Sequence, residues 1–281
     1  SRELMSKMST KTAWRKLPLL MAALPLAQGA TSKLAFLPGF GSAFSLILPR
    51  RSSGLASVSM QATGPAGNNV LYAKMGPGGV LGDCPFTHKA NFALRSKSLE
   101  FETALIDLSD KPGWYLEKLN AKGSVPTFVT AEGKILTESE DIIAFADTQG
   151  PPQLLSREGS EAAMEAVKGV FPAFAGYMKN KEEGEEADKK QALSDALAAL
   201  NTYLEGAPGP LLLGADVCAE DCRVVGPLYH VSVAVIKYKE FDPLEPYPAV
   251  RAYLEALKKT EAFKLSSYTP ETIEWGWSKF F

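Results

Sequence analysis

The chain has 281 residues, of which 46% are hydrophobic and 22% charged, a composition typical of a soluble globular protein of one or two domains. Three cysteines are too few for a disulfide scaffold. The net charge of −2 is unevenly distributed along the chain. Residues 83–281 hold 31 acidic and 21 basic residues, a net charge of −10, and the preceding residues are basic. This acidic body argues against nucleic acid as the main partner.

Residues 1–60 have the composition of an organelle transit peptide. Between Leu4 and Gly82 there is no Asp or Glu, but there are eight Lys or Arg and many Ser, Ala and Pro. The apolar run at 17–27 is too short to span a bilayer. A secretory signal is the alternative reading, but the acid-free stretch continues far beyond the cleavage site that such a signal would have.

The next segment alternates between strand and helix patterns. We predict a strand at 68–75, a helix at 85–98, a strand at 99–108 and a short helix or turn at 111–120. A hairpin at 125–139 and a helix at 139–149, capped by Ser139, complete this part. This order predicts an α/β domain over 68–149.

Strand signals end at the Pro- and Gly-rich linker 150–159. Apolar residues at helical spacing predict amphipathic helices at 160–180 and 185–205, joined by a charged turn. A helix at about 219–239 is apolar most of the way round and should form the buried centre of a bundle, and a further helix follows at 247–259. We therefore predict an all-α domain over 159–281.

Cys84 is the residue that points most directly to chemistry. It precedes Pro85, which suits the first position of a helix, so Cys84 should be the N-cap. A helix N-terminus lowers the pKa of a thiol by offering free N–H groups. Thr87 stands where a C-x-x-C motif has its second cysteine, so no second thiol within the motif can resolve an adduct. The structural alternative is a small buried hydrophobe.

Two further motifs suit a small peptide ligand. A cis bond between Val125 and Pro126 would turn the Val125 backbone toward a peptide. Ser139, at a helix N-terminus, suits a carboxylate, and Glu138 beside it suits an ammonium group. Glutathione, a zwitterionic peptide with a free thiol, satisfies all three sites, although helix capping also accounts for Ser139.

The sequence resembles the plant-type dehydroascorbate reductases of the glutathione transferase superfamily. The motifs that carry this resemblance lie between residues 70 and 277: LGDCPFTHKA, LIDLSDKPGWYLE, GSVPTF, ESEDII and LYHVSVAVIKYK. The resemblance implies the glutathione transferase fold, in which an α/β N-terminal thioredoxin-like domain precedes an all-α C-terminal domain. It also implies reduction of dehydroascorbate to ascorbate by two glutathiones.

The resemblance implies a role for individual residues. Cys84 would be the nucleophile, and Lys74 and Asp83 would line the dehydroascorbate pocket. The glutathione ligands would be Lys111, Val125, Pro126, Glu138 and Ser139. The loop between Lys74 and Cys84 is about two residues shorter than the family's, which makes Lys74 the weakest assignment. No metal and no tightly bound cofactor is implied, because glutathione is a co-substrate.

The sequence is also compatible with other functions. A glutathione-dependent thioltransferase of the omega type would use the same residues, and a membrane-inserting relative of the chloride channel proteins is a third class. Cys218 and Cys222 are one helical turn apart and would suit two metal ligands, but no further ligand is nearby. We expect His230 to be a core residue and His88 to be exposed near the site. We also expect a monomer in the chloroplast stroma, with the mitochondrion as the alternative.

Overall fold

The computed structural model of the protein describes residues 67–281, so the transit peptide predicted at 1–60 lies outside the described residues. Its first part contains a four-stranded mixed sheet with the strand order β2-β1-β3-β4. β1 runs parallel to β2, with Val70 opposite Glu102, and antiparallel to β3. The strands are β1 Val70–Lys74, β2 Glu102–Ile106, β3 Thr127–Val129 and β4 Ile135–Leu136.

Three helices cover the two faces of this sheet: α1 Pro85–Ser96, α2 Gly113–Lys118 and α3 Ser139–Asp147. Alternation along β1 decides which face each residue serves. Leu71 packs into the large core that includes α1 and α3. Tyr72 faces the opposite way, into a smaller core with Tyr115 of α2. The predicted order of strands and helices is therefore confirmed over this part.

After the linker at 150–159 the described chain is mostly helical, and its helices pack against the α1 side of the sheet. The helices are α4 Ser160–Val167, α5 Val170–Lys179, α6 Glu186–Glu205, α7 Ala219–His230, α8 Ile236–Lys239, α9 Pro248–Lys259, α10 Glu261–Ser266 and α11 Pro270–Trp277.

The helix predicted at 219–239 is confirmed, because α7, a π-helical turn at Val231–Val235 and α8 follow one another without a break. Two other points need correction. The helix predicted at 160–180 is two helices, α4 and α5, separated near Gly169. α10 and α11 were not predicted, although Thr260 and Thr269 cap them with side-chain hydrogen bonds.

α7 is the buried centre of the helical part, as its apolar pattern predicted. It passes so close to the start of α1 that a Cβ at Gly226 would lie 2.7 Å from the carbonyl oxygen of Pro85. Only glycine fits there, and the contact fixes the end of α1 that carries Cys84. No helix in the described part of the chain is long and apolar enough to cross a membrane.

Candidate active site

A tight loop returns the chain from the end of β1 to the start of α1. The amide of Gly82 donates to the carbonyl of Lys74 at 2.8 Å, and the amide of Gly76 donates to the carbonyl of Val80 at 2.8 Å. A Cβ at Gly82 would lie 2.8 Å from the Lys74 oxygen, so this approach requires glycine. The loop thereby brings Asp83 and Cys84 back beside Lys74.

Cys84 is the N-cap of α1, as predicted, and Pro85 occupies the first turn. The amide of Thr87 donates to Cys84 Sγ at 3.4 Å. The sulfur also lies 3.9 Å from the carbonyl oxygen of Val125, which precedes the cis peptide bond to Pro126. The cysteine loop and the Val125–Pro126 turn therefore meet at the sulfur.

The predicted lowering of the Cys84 pKa is wrong. Burial raises the pKa of the Cys84 thiol above its ordinary value, and the charge of Asp83 acts in the same direction. Hydrogen bonding by Thr87 and by the amide of Phe86 opposes this rise but does not outweigh it. The helix terminus therefore supports the thiolate, as expected, but does not by itself overcome the desolvation of the sulfur.

Asp83, the residue directly before Cys84, forms an ion pair with Lys74 at 2.5 Å. The Lys74 ammonium also lies 4.7 Å from the ring centroid of Trp275 in α11. The Asp83 carboxylate packs on the backbone of Gly276, where an added Cβ would lie 1.6 Å from Asp83 Oδ2. α11 thus forms a wall of the site, and the sequence analysis missed it.

A cavity of about 480 Å³ opens on the Lys74 side of this wall. Its lining includes the ends of β1 and β2 as well as Trp275 and Lys279 from the C-terminal region. Two cationic side chains, an indole ring and the Ser109 hydroxyl face a volume that suits a small polar molecule. The cavity extends from Lys74 along the ends of β1 and β2.

Lys111 lies near the Val125 turn. Gly123 has a φ of +62°, and a Cβ there would lie 2.8 Å from Lys111 Cδ and 3.1 Å from Lys111 Nζ. The exposed Lys111 side chain therefore lies against the backbone of Gly123, two residues before Val125. Among residues 67–281 its ammonium forms no ion pair, so it is available to an anion. Cys84, Val125 and Lys111 thus follow one another along one edge of the site.

Glu138 and Ser139 lie at the N-terminus of α3, but the predicted capping by Ser139 is wrong. Glu138 is the N-cap, Ser139 is the first helical residue, and no side-chain capping bond forms. The Ser139 hydroxyl makes no hydrogen bond within the described residues, and the Glu138 carboxylate meets Lys122 Nζ at 2.7 Å in an exposed ion pair. The first amides of α3 therefore have no side-chain cap, an arrangement that suits an anion.

Glu140 fixes α3 on its neighbours. It accepts from Lys89 of α1 at 2.6 Å and from Arg223 of α7 at 2.8 Å. Burial disfavours the charge of Glu140, but the hydrogen bonds from Arg223 and Lys89 outweigh it and hold the pKa of this carboxyl below its ordinary value. The network holds the Ser139 end of α3 at a fixed place relative to the Cys84 end of α1.

The two histidines are both buried. The expectation that His88 is exposed is wrong, because its ring is 1% exposed among Phe92, Tyr229, Phe263 and Tyr268. Neither of its ring nitrogens has a hydrogen-bond partner in the described part of the chain, and burial lowers its pKa to about 3. His230 is a satisfied core residue, as predicted, between Trp277 and Tyr268.

The other two cysteines are unpaired and buried in α7 and its cap, away from the solvent. Within residues 67–281, no group of three or more His, Cys, Asp or Glu side chains is arranged to hold a metal ion. Cys84 is the one partly exposed thiol of the described chain. The site therefore offers single-thiol chemistry beside an ion pair and the Val125–Pro126 turn.

Comparison with known proteins agrees with this arrangement. Residues 83–149 match the family Glutathione S-transferase, N-terminal domain. Glutathione S-transferase DHAR2 of Arabidopsis thaliana is 33% identical over 198 residues, 70% of this chain and 90% of the relative. The chloroplastic Glutathione S-transferase DHAR3 of the same plant is 29% identical over 70% of this chain and 74% of the relative. The relatives' names include both cytosolic and chloroplastic proteins.

A solved structure gives the same answer for the fold. The crystal structure of Chlamydomonas reinhardtii dehydroascorbate reductase superposes with a TM-score of 0.67 at 30% identity, covering 76% of this chain and 99% of that one. The thioredoxin-like sheet followed by an all-helical part is therefore the glutathione transferase fold that the sequence predicted. On these matches the chain belongs to the dehydroascorbate reductase branch of the glutathione transferase superfamily.

Proposed function

We propose that this protein reduces dehydroascorbate to ascorbate with two glutathiones, using Cys84 as its single redox-active thiol. The observation that carries the proposal is a partly exposed cysteine at the N-terminus of α1 with Thr87, not a second cysteine, one turn away. Cys218 and Cys222 are fully buried and cannot resolve an adduct on Cys84. A single accessible thiol requires an external thiol to complete a redox cycle.

Lys74 and Asp83 form the dehydroascorbate side of the proposed site. Asp83 directly precedes Cys84 and pairs with Lys74, and Lys74 lines the cavity of about 480 Å³. Dehydroascorbate is a small, neutral, oxygen-rich molecule, so it needs both donors and acceptors. Lys74 supplies donors, and Asp83 supplies acceptors for the hydroxyl groups of the substrate.

The glutathione side of the proposed site has three contacts along the edge from Val125 to α3. The backbone of Val125, held by cis Pro126, pairs with the cysteinyl unit. The α3 N-terminus with Ser139 receives one carboxylate of glutathione and Glu138 its ammonium group, while Lys111 neutralises the other carboxylate. We also propose two domains, a thioredoxin-like domain over 68–149 that holds these glutathione contacts and an all-α domain over 159–281.

The proposed cycle balances with two glutathiones. The Cys84 thiolate adds to a carbonyl carbon of dehydroascorbate, forming a C–S bond and placing the carbonyl electron pair on oxygen. Attack of water oxygen on sulfur then breaks the C–S bond, leaves two electrons on ascorbate and yields a sulfenic acid on Cys84. One glutathione replaces the hydroxyl, releasing water, and a second glutathione attacks the mixed disulfide, giving oxidised glutathione and free Cys84.

The test is an assay of glutathione-dependent dehydroascorbate reduction by the full chain. We expect turnover by the wild type and a loss of at least about 1,000-fold in Cys84→Ser, because serine is not redox-active. Cys218→Ser is the matched control and should keep its activity. Substantial reduction by Cys84→Ser, or an inactive wild type, would refute the proposal. Faster turnover of a glutathionylated peptide than of dehydroascorbate would instead identify a thioltransferase.

Two finer assignments accompany this function. We assign residues 1–60 as a chloroplast transit peptide, on their acid-free composition and on the chloroplastic relatives. Import of a fluorescent protein fused behind these residues into isolated chloroplasts, but not into mitochondria, tests this assignment. We also assign a monomer, and light scattering at micromolar concentration should give the mass of one chain.

A further inference from the structure

The ion pair of Lys74 and Asp83 has a third member, the indole ring of Trp275 in α11. Lys74 Nζ lies 2.5 Å from Asp83 Oδ1 and 4.7 Å from the centroid of the Trp275 ring. Only 16% of the Lys74 side chain and 8% of the Asp83 side chain are exposed. An aromatic ring attracts a cation over its face, and this attraction is stronger where water is excluded. The ammonium is therefore held by a carboxylate and by an indole ring together.

The stem of Lys74 is fixed, whereas its ammonium group needs these two partners to stay in place. The Lys74 carbonyl accepts from the amide of Gly82, and Lys74 Cγ lies 2.9 Å from the place of an added Cβ at Gly82. Beyond Cγ the lysine side chain is flexible and can turn toward other acceptors. The carboxylate of Asp107, the residue after β2, lines the same cavity as Lys74 and Trp275. Trp275 therefore favours the pairing with Asp83 over a pairing with Asp107.

Trp275 contributes little to the packing of the fold. It is 43% exposed and belongs to neither of the two hydrophobic cores of residues 67–281. The next residue, Gly276, is buried, and its backbone packs against the Asp83 carboxylate. Two consecutive residues of α11 thus contact the two members of the ion pair, and the exposed indole faces the cavity that Lys74 lines.

We propose that Trp275 is a positioning residue for dehydroascorbate, because its indole ring holds the Lys74 ammonium where this group donates to the substrate. This inference rests on the proposed function, in which Lys74 and Asp83 bind dehydroascorbate beside Cys84. Trp275 acts through Lys74 and takes no part in the redox steps at Cys84. Loss of the indole should therefore raise KM for dehydroascorbate and leave kcat nearly unchanged.

The first test compares Trp275→Leu with the wild type in the full chain. We expect KM for dehydroascorbate to rise about 3- to 10-fold, the change in binding that corresponds to one partly desolvated contact between an ammonium and an indole. kcat, KM for glutathione and the rate of Cys84 alkylation by iodoacetamide should stay within about twofold. Phe241→Leu is the matched control. It removes a ring that lies 4.1 Å from the Lys190 ammonium, away from this cavity, and should leave KM unchanged.

The second test separates the electrostatic attraction of the ring from its shape. Tryptophan with an increasing number of fluorine atoms on its indole is placed at position 275 alone, by nonsense suppression in the full chain. Fluorine withdraws electron density from the ring face and changes the size of the ring little, so its attraction for an ammonium weakens stepwise. We expect KM for dehydroascorbate to rise with each added fluorine. Ordinary tryptophan inserted by the same method is the control.

The third test asks whether Trp275 acts through Lys74. Lys74→Met keeps an unbranched stem but removes the ammonium, so Trp275→Leu should cause no further rise of KM in that background. An equal rise with and without the ammonium would overturn the positioning role. If Trp275→Leu does not fold, the fluorinated series, measured with Lys74 and with Met at this position, carries the same test.

The outcomes separate the two proposals. An active wild type with unchanged KM in Trp275→Leu, or a constant KM over the fluorinated series, overturns the role of Trp275 and leaves the proposed function standing. Parallel losses in kcat and in Cys84 alkylation also overturn this role, because they indicate general damage to the site. An inactive wild type overturns the proposed function, and the role of Trp275 falls with it.

Discussion

Two helices of this protein begin at a cysteine, and only one of those cysteines is suited to chemistry. Cys84 caps α1 and Cys218 caps α7. Cys84 is partly exposed and accepts from the amide of Thr87, whereas Cys218 is fully buried and its amide donates to Asp221 at 2.8 Å. Asp221 raises the pKa of Cys218 in addition to burial. Both thiols lie at a helix N-terminus. They differ in the first-turn residue, Thr87 for Cys84 and Asp221 for Cys218, and in their exposure to solvent.

The largest expected difference is in reactivity. In the native protein, iodoacetamide should modify Cys84 at least about 100-fold faster than Cys218 or Cys222, because only Cys84 reaches solvent. Mass spectrometry of tryptic peptides after timed quenching measures the three rates. In urea all three thiols should react alike, which is the control. If iodoacetamide modified Cys84 and Cys218 at comparable rates in the native protein, the proposed difference in reactivity between the two thiols would be wrong.

The capping aspartate of α7 should matter for stability. Asp221 is buried and accepts from the amides of Leu212 and Cys218 and from the Tyr253 hydroxyl. Asp221→Asn places an NH₂ group against one of these donors, so we expect a loss of about 3 kcal/mol in the free energy of unfolding. Urea denaturation measures it. The exposed Asp195→Asn should change stability by less than about 0.5 kcal/mol, and equal effects would contradict the role of the cap.

Crowding the neighbour of Cys84 should have a moderate effect. In Gly276→Ala the new methyl group would overlap the Asp83 carboxylate, which must then move away from Lys74. We expect kcat/KM for dehydroascorbate to fall about tenfold, together with a loss of about 1–3 kcal/mol in stability. Gly176→Ala in α5 has open space around its Cβ and should keep full activity. Full activity of Gly276→Ala would show that the Asp83 position is unimportant.

The smallest expected effect concerns the first turn of α1. Thr87 lowers the pKa of Cys84 through its hydroxyl, so Thr87→Val should raise that pKa. The thiolate then forms at higher pH, and the pH profile of Cys84 alkylation should move to higher pH, with a rate several-fold lower at pH 7.5. The exposed Thr103→Val is the control and should leave the profile in place. A shift to lower pH would reverse the assigned effect of Thr87.

Local sequence signals predicted the part of the site that lies close together in the chain. Pro85 after Cys84 predicted the start of α1, and Pro126 before a strand predicted the cis turn, because both depend on backbone preferences of neighbouring residues. The order of strands and helices along the chain followed from the periodicity of apolar residues and from the spacing of turns. These features need no knowledge of distant contacts.

The rest of the site depends on contacts between distant residues and could not be predicted in this way. Gly276 touches Asp83, and Trp275 lies over the Lys74 ammonium, yet no pattern around Gly276 or Trp275 indicates these contacts. His88 was expected to be exposed because it follows Thr87 by one residue, but α1 turns this position toward α10 and its aromatic neighbours. Thr260 and Thr269, which cap α10 and α11, were the sequence signals that could have predicted these two helices, and α11 forms a wall of the site.

The placement of α11 against Asp83 has a consequence for how the protein is made. The nucleophile and its sheet are encoded well before α11, so the thioredoxin-like part leaves the ribosome first. Until α11 has been synthesised and has docked, Cys84 lacks the wall formed by Trp275 and Gly276. A chain that has been synthesised only as far as α10 therefore has the thiol but not this wall, so the complete site forms only after α11 has been made and has docked.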